Sequence, residues 1–216
     1  MRGTAPVSRA EGKLAGAARE FSYDFRGKTV LDIGSSTGGF TEFALRSGAA
    51  HVIAIEKGTN QMKAPLRFDP RIDLREKTDI FDISRDILGS CDYFETTEKN
   101  KHSKTSQGSK TKTHIDVILA DVSFVSLRKI LLHAKYHIAS LDTDFLVMLK
   151  PQFEAKSFEL KKGIVKNEKI RRDLIRDFEK WLKTQGFIII KKRDNDFAGR
   201  NGNLERFYLL KLATKY

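Results

Sequence analysis

The chain of 216 residues is long enough for one domain with a full core, and its 40% hydrophobic share is that of a soluble globular protein. Its longest apolar runs, FLVML from Phe145 and FIII from Phe187, fall far short of the roughly 20 residues that span a bilayer, and the N-terminus lacks the apolar core of a secretory signal, so a cytoplasmic location is expected. A net charge of +12 favours a polyanionic partner, nucleic acid before an acidic membrane surface, and the single Cys91 closes no intrachain disulfide.

Residues 1–28 read as a segment leading into a domain over 29–216. TVLDIG from Thr29 predicts a buried strand, and GGFTEFALRSG a short helix stopped by Gly48. HVIAIEKG is a second strand and RIDLREKTDI holds a third. The stretch 90–113 is polar, rich in Lys, Ser and Thr, and reads as a mobile surface insertion. HIDVILADV is a fourth strand, with the continuous apolar character of a parallel sheet. SLRKILLHAKYHI has helical spacing behind a Ser126 cap, and TDFLVMLKP is a fifth strand. The longest helix runs from Asn167 to the stop at Gly186, its apolar positions Ile170, Leu174, Ile175, Phe178 and Leu182 facing the sheet. FIIIKKR and LERFYLLKL close the chain as two strands joined by a polar turn, which sets the last one antiparallel. Alternating strands and helices with a terminal hairpin predict an α/β class I methyltransferase fold: a Rossmann-like, seven-stranded, mostly parallel sheet.

The turn DIGSSTGGF follows the first strand and opens a helix, the nucleotide position of such sheets. Gly34, Gly38 and Gly39 let the backbone approach a ligand, yet the pattern is neither G-x-G-x-x-G nor a P-loop. Asp32 would repel a pyrophosphate and suits a cationic ammonium. Glu56, ending the second strand, is placed to accept hydrogen bonds from both ribose hydroxyls. Acid, glycines, acid in that order point to S-adenosylmethionine. Asp79, after the third strand, suits either the adenine amino group or a helix cap.

The fourth strand ends in ADVSF, without the Asn/Asp-Pro-Pro-aromatic of an amine-directed methyltransferase. Lys13, Asp121, Lys150 and Glu205, in that order along the chain, are residue types that together could activate a ribose 2′-hydroxyl. A hydroxyl attacks poorly until a base takes its proton, and a lysine serves only if its pKa falls well below about 10.4. In this reading Lys150 is the base, Lys13 supplies a neighbouring charge, and Asp121 and Glu205 orient the pair.

VSRAEGKLAGA, LDIGSSTGGFTE, ADVSFVSL, LVMLKPQFEA, KKGIV and GNLER together resemble the TlyA (hemolysin A) family of FtsJ-type ribosomal RNA 2′-O-methyltransferases, from about Val7 to Leu210. The resemblance implies ribosomal RNA or a ribosomal subunit as partner and S-adenosylmethionine as cofactor. It maps the catalytic tetrad to Lys13, Asp121, Lys150 and Glu205, and extends the cofactor turn to Asp32, Gly34, Ser36, Thr37, Gly38, Gly39 and Phe40, with Glu56 on the ribose. Family members begin with an S4-type RNA-binding domain, which is expected to be absent because the sequence starts where that domain would end. SRAEGKL also departs from the family's glycine-rich SRGGLKL in the residues just before Lys13.

Lys156, Lys161, Lys162, Lys166, Arg171 and Arg172 form a cationic set suited to RNA phosphates, with Lys162 and Gly163 in a mobile loop over the crevice. His133 and His137 stand one helical turn apart but lack a third ligand, so no metal site is expected. The competing readings are a non-catalytic RNA- or ribosome-binding protein of the same fold and a membrane-active hemolysin. The second is opposed by the lack of a spanning or cleanly amphipathic segment.

Overall fold

A computed structural model describes residues 9–89, 113–196 and 202–214. The strands are β1 (Thr29–Ile33), β2 (His51–Ile55), β3 (Ile72–Arg75), β4 (Val117–Ala120), β5 (Asp144–Leu149), β6 (Phe187–Asp194) and β7 (Arg206–Leu212). They form one seven-stranded sheet in the order β3-β2-β1-β4-β5-β7-β6. The first five are parallel, and β7 runs antiparallel to both β5 and β6. This is the expected mostly parallel sheet with a terminal hairpin.

The helices are α1 (Arg9–Phe21), α2 (Gly39–Arg46), α3 (Arg85–Leu88), α4 (Leu127–His137) and α5 (Glu168–Thr184). Side chains alternate along each strand, so each face of the sheet has its own core. Leu31, Ile53, Ile118, Phe145 and Leu210 pack with α4 and α5 residues such as Leu131 and Phe178. Val30, Val52, Leu119, Met148 and Phe207 pack with Leu14 and Phe21 of α1 and Ala44 of α2. Ser126 and Asn167 cap α4 and α5 as their side chains suggested, accepting from Arg128 N and Lys169 N.

Helix α1 lies inside the segment read as a mere lead-in. Leu14, Ala17, Ala18 and Phe21 are all buried at helical spacing, so this face joins the core. Cations of β6 fasten its C-terminal half: Arg193 Nη1 donates to Gly16 O at 2.8 Å and Lys191 Nζ to Phe21 O at 2.7 Å. α1 is thus a fixed arm, and it carries Lys13. The expected insertion, Thr113 apart, and Cys91 lie outside the described residues.

Candidate functional site

Strand register brings the expected tetrad together. Leu149 of β5 pairs with Arg206 of β7, so the next step along the ladder sets Lys150 opposite Glu205. Ala120 of β4 pairs with Val147, placing Asp121 at the same sheet edge. Asp121, Lys150 and Glu205 share the parity of Leu119, Met148 and Phe207, so all three belong to the α1–α2 face. Lys13 Nζ reaches across to Glu205 Oε2 at 2.5 Å, and Lys150 Nζ lies 2.6 Å from Asp121 Oδ1. The tetrad is therefore two adjacent ion pairs, each lysine with its own carboxylate. Lys150 Nζ also donates to Ser123 Oγ at 2.9 Å.

Other side chains tie together the loops that carry these pairs. Glu154 accepts from Ser126 Oγ at 2.8 Å and Leu127 N at 2.7 Å, with Arg128 Nε at 3.3 Å, tying the loop after β5 to the loop after β4. Burial pushes its carboxyl pKa up, against those hydrogen bonds. Arg171, expected among the RNA-facing cations, is 6% exposed. It donates to Leu204 O at 3.2 Å and pairs with Asp194 at 2.6 Å, so it buttresses the backbone beside Glu205 and does not join the basic face. The remaining five, Lys156, Lys161, Lys162, Lys166 and Arg172, are exposed. The expected loop at Lys162 and Gly163 is a tight hairpin turn with both residues at positive φ (54° and 75°), closed by the Lys161–Ile164 bridge. Buried Asn203 pins it, accepting from Val165 N and donating to Gly163 O, each at 3.0 Å.

The residues expected to hold the cofactor divide between surface and support. Gly34, Ser36, Glu56 and Asp79 line a crevice of about 720 Å³ that Asp121 and Ser123 also border. Its apolar walls include Ile55, Ile80 and Val122. Gly34 is favoured by its left-handed φ of +80°, and it lies close to Asp121 O, where the loops after β1 and β4 meet. Thr37 instead lines a separate groove of about 960 Å³ beside α2, away from the tetrad. Gly39 and Phe40 are buried in α2, with Phe40 against Phe207 at 6.1 Å between ring centres. Asp79 caps the 3-10 turn Ile80–Asp82 through Phe81 N and pairs with Lys57 at 2.8 Å. Lys57, then that backbone bond, hold its carboxyl pKa below the ordinary value.

Asp32 is fully buried and does not border the crevice. Its parity with Val30 turns it toward α2, where Oδ2 accepts from Thr41 Oγ1 at 2.6 Å. Oδ1 is buried with no hydrogen-bond partner among the described residues. Burial, with the Asp121 and Glu56 charges adding and the Thr41 bonds opposing, pushes its carboxyl from 3.8 up to about 7. The folded state then holds the proton more tightly than the unfolded chain does. The stability this contributes is full below about pH 4 and is lost as pH rises through about 7. Asp32→Asn is expected to match the wild type near pH 4 and to exceed it at pH 8 by up to about 4 kcal/mol without ligand. Urea unfolding at the two pH values measures this, and a difference that does not change with pH contradicts it.

His133 and His137 stack at 4.8 Å, and His133 Nε2 bonds Ile83 O at 2.8 Å. Among the described residues no group of three or more His, Cys, Asp or Glu is placed to hold a metal, and no helix is long and apolar enough to cross a membrane.

The sequence profile of FtsJ-like methyltransferases matches residues 6–212. The 16S/23S rRNA (cytidine-2′-O)-methyltransferase TlyA of Mycobacterium tuberculosis is 31% identical over 209 residues, covering 96% of this chain and 69% of that protein. The 23S rRNA (cytidine-2′-O)-methyltransferase TlyA of Campylobacter jejuni is 33% identical, covering 94% and 69% respectively. Among solved structures, a provisionally named hemolysin from Streptococcus thermophilus superposes with a TM-score of 0.83 at 26% identity, covering 99% of this chain and 70% of that one.

Proposed function

The chain belongs to the FtsJ-like methyltransferase family, and from that premise we propose that it methylates ribose 2′-hydroxyls of ribosomal RNA with S-adenosylmethionine as donor. The observation that carries this reading is the convergence of Lys13, Asp121, Lys150 and Glu205 beside a crevice with the features of a nucleoside site. The catalytic relatives' own names agree with it.

The crevice suits the cofactor on two counts. Its apolar walls fit an adenine ring, and Glu56 and Asp79 offer carboxylates at its rim. Glu56 already accepts from Ser36 N at 2.8 Å, Gly58 N at 2.6 Å and Gln61 Nε2 at 3.1 Å. A carboxylate offers about four acceptor sites, so two ribose hydroxyls require the Gln61 amide to leave. Bound S-adenosylmethionine supplies an electrophilic methyl carbon on a sulfonium sulfur. Lys150, when neutral, accepts the ribose 2′-hydroxyl proton at Nζ. Asp121 holds the Lys150 side chain at the crevice edge, and the Lys13–Glu205 pair closes the opposite side. Much of the rate then comes from holding the hydroxyl in line.

Phe124 supports an RNA substrate with a splayed-out base. It is 93% exposed, at a strained φ of +65°, and lies 5.5 Å from the Phe153 ring beside Lys150. Exposed aromatic faces stack unpaired bases at about 1–3 kcal/mol each. The five exposed cations would grip phosphates in a salt-sensitive, sequence-neutral way.

Incubation of the purified protein with ribosomal RNA and methyl-labelled S-adenosylmethionine, followed by nucleoside analysis, tests the proposal. Label in 2′-O-methyl nucleosides is expected. Label on the bases contradicts the tetrad's role, while no label and no heat of cofactor binding favours a non-catalytic RNA-binding protein.

A further inference from the structure

We propose that Ser123 is a positioning residue that aims the lone pair of the Lys150 amine, an inference that rests on Lys150 being the base. A neutral amine carries two N–H bonds and one lone pair, and rotation about Cε–Nζ offers three staggered orientations. Only one of them turns the lone pair to a given hydroxyl. Lys150 has an acceptor on each of two sides: Ser123 Oγ at 2.9 Å and Asp121 Oδ1 at 2.6 Å. One N–H is thus directed to Ser123 and the Asp121 charge draws the other, which leaves the third staggered position to the lone pair that meets the ribose hydroxyl.

Asp121 alone does not fix this rotation. Its Oδ1 contact with Nζ is an ion pair without hydrogen-bond angles, whereas the bond to Ser123 has them. Ser123 is exposed, borders the cofactor crevice and has no second hydrogen bond among the described residues. It therefore serves no evident packing purpose. Phe124 turns the chain immediately after it through a left-handed residue.

Single-turnover methylation at saturating RNA and cofactor, on wild type, Ser123→Ala, Ser123→Thr and Lys150→Ala, tests the proposal. Ser123→Ala is expected to slow the step by about 3- to 10-fold, the worth of one hydrogen bond. Affinity for S-adenosylmethionine and RNA and the unfolding midpoint stay within error, and Ser123→Thr recovers the rate to within about twofold. A full rate in Ser123→Ala, a threonine variant as slow as the alanine one, or a loss explained by weaker binding or folding overturns it. Lys150→Ala separates the two levels. If it retains the wild-type rate, the base assignment itself fails; if it is inactive while Ser123→Ala is fully active, only the role of Ser123 fails.

Discussion

Lys150→Ala is expected to lower the single-turnover rate of methyl transfer by about 100- to 10,000-fold, the range of a positioned general base, with S-adenosylmethionine affinity nearly unchanged. The separation follows from geometry. Lys150 reaches the active edge through Asp121 and Ser123 but does not border the cofactor crevice. Lys150→Arg is the sharper variant. A guanidinium preserves the charge opposite Asp121 and binds phosphate at least as well, yet it does not give up its proton in proteins. An arginine variant that binds RNA and cofactor and stays inactive identifies proton acceptance as the lysine's task. If Lys150→Arg turns over near the wild-type rate, Lys150 acts through charge alone and the general-base account is wrong.

Gly38→Ala is expected to damage the cofactor turn by about 2–5 kcal/mol, divided between folding stability and S-adenosylmethionine affinity. Gly38 has φ +92°, and a left-handed conformation costs a residue with a Cβ about 1–2 kcal/mol. The added methyl would also stand 2.4 Å from Leu66 Cδ2 and 3.1 Å from Met62 Cε. The half-buried Leu66 side chain can rotate away, but completely buried Met62 can give way only by shifting within the segment that covers the turn. That segment holds Gln61, which bonds both Ser36 and Glu56, so the disturbance reaches the crevice wall. Urea unfolding with and without cofactor measures both shares. Unchanged stability together with unchanged affinity would show that the turn tolerates a side chain.

Much of the fold was legible because its signals are local. Continuous apolar runs marked β1, β2, β4 and β5, and Ser126, Asn167 and Gly186 marked helix ends through capping chemistry that acts within a few residues. Helix α1 carried the same kind of signal in Leu14, Ala17, Ala18 and Phe21, but two glycines and a short apolar face hid it. The tetrad was readable as a set of residue types, while its division into two ion pairs was not. Lys13 and Glu205 are 192 residues apart in sequence, and no periodicity reports such a contact. Distance in sequence also concealed Glu154, Asn203 and Ser123, whose partners lie 26 to 40 positions away. Asp32 and Arg171 misled for a different reason. Strand parity turns Asp32 into the sheet–helix layer, and the Asp194 carboxylate draws Arg171 inward, so a charge that reads as ligand-facing became internal structure.

In the proposed mechanism, two lysine–carboxylate pairs at one edge of this sheet activate a ribose hydroxyl of ribosomal RNA. Mass mapping of ribose methylation on ribosomal RNA from cells with the protein, without it, and with only Lys150→Ala tests this directly. At least one 2′-O-methyl position should vanish in the second case and stay absent in the third. An identical methylation map in all three would contradict the account.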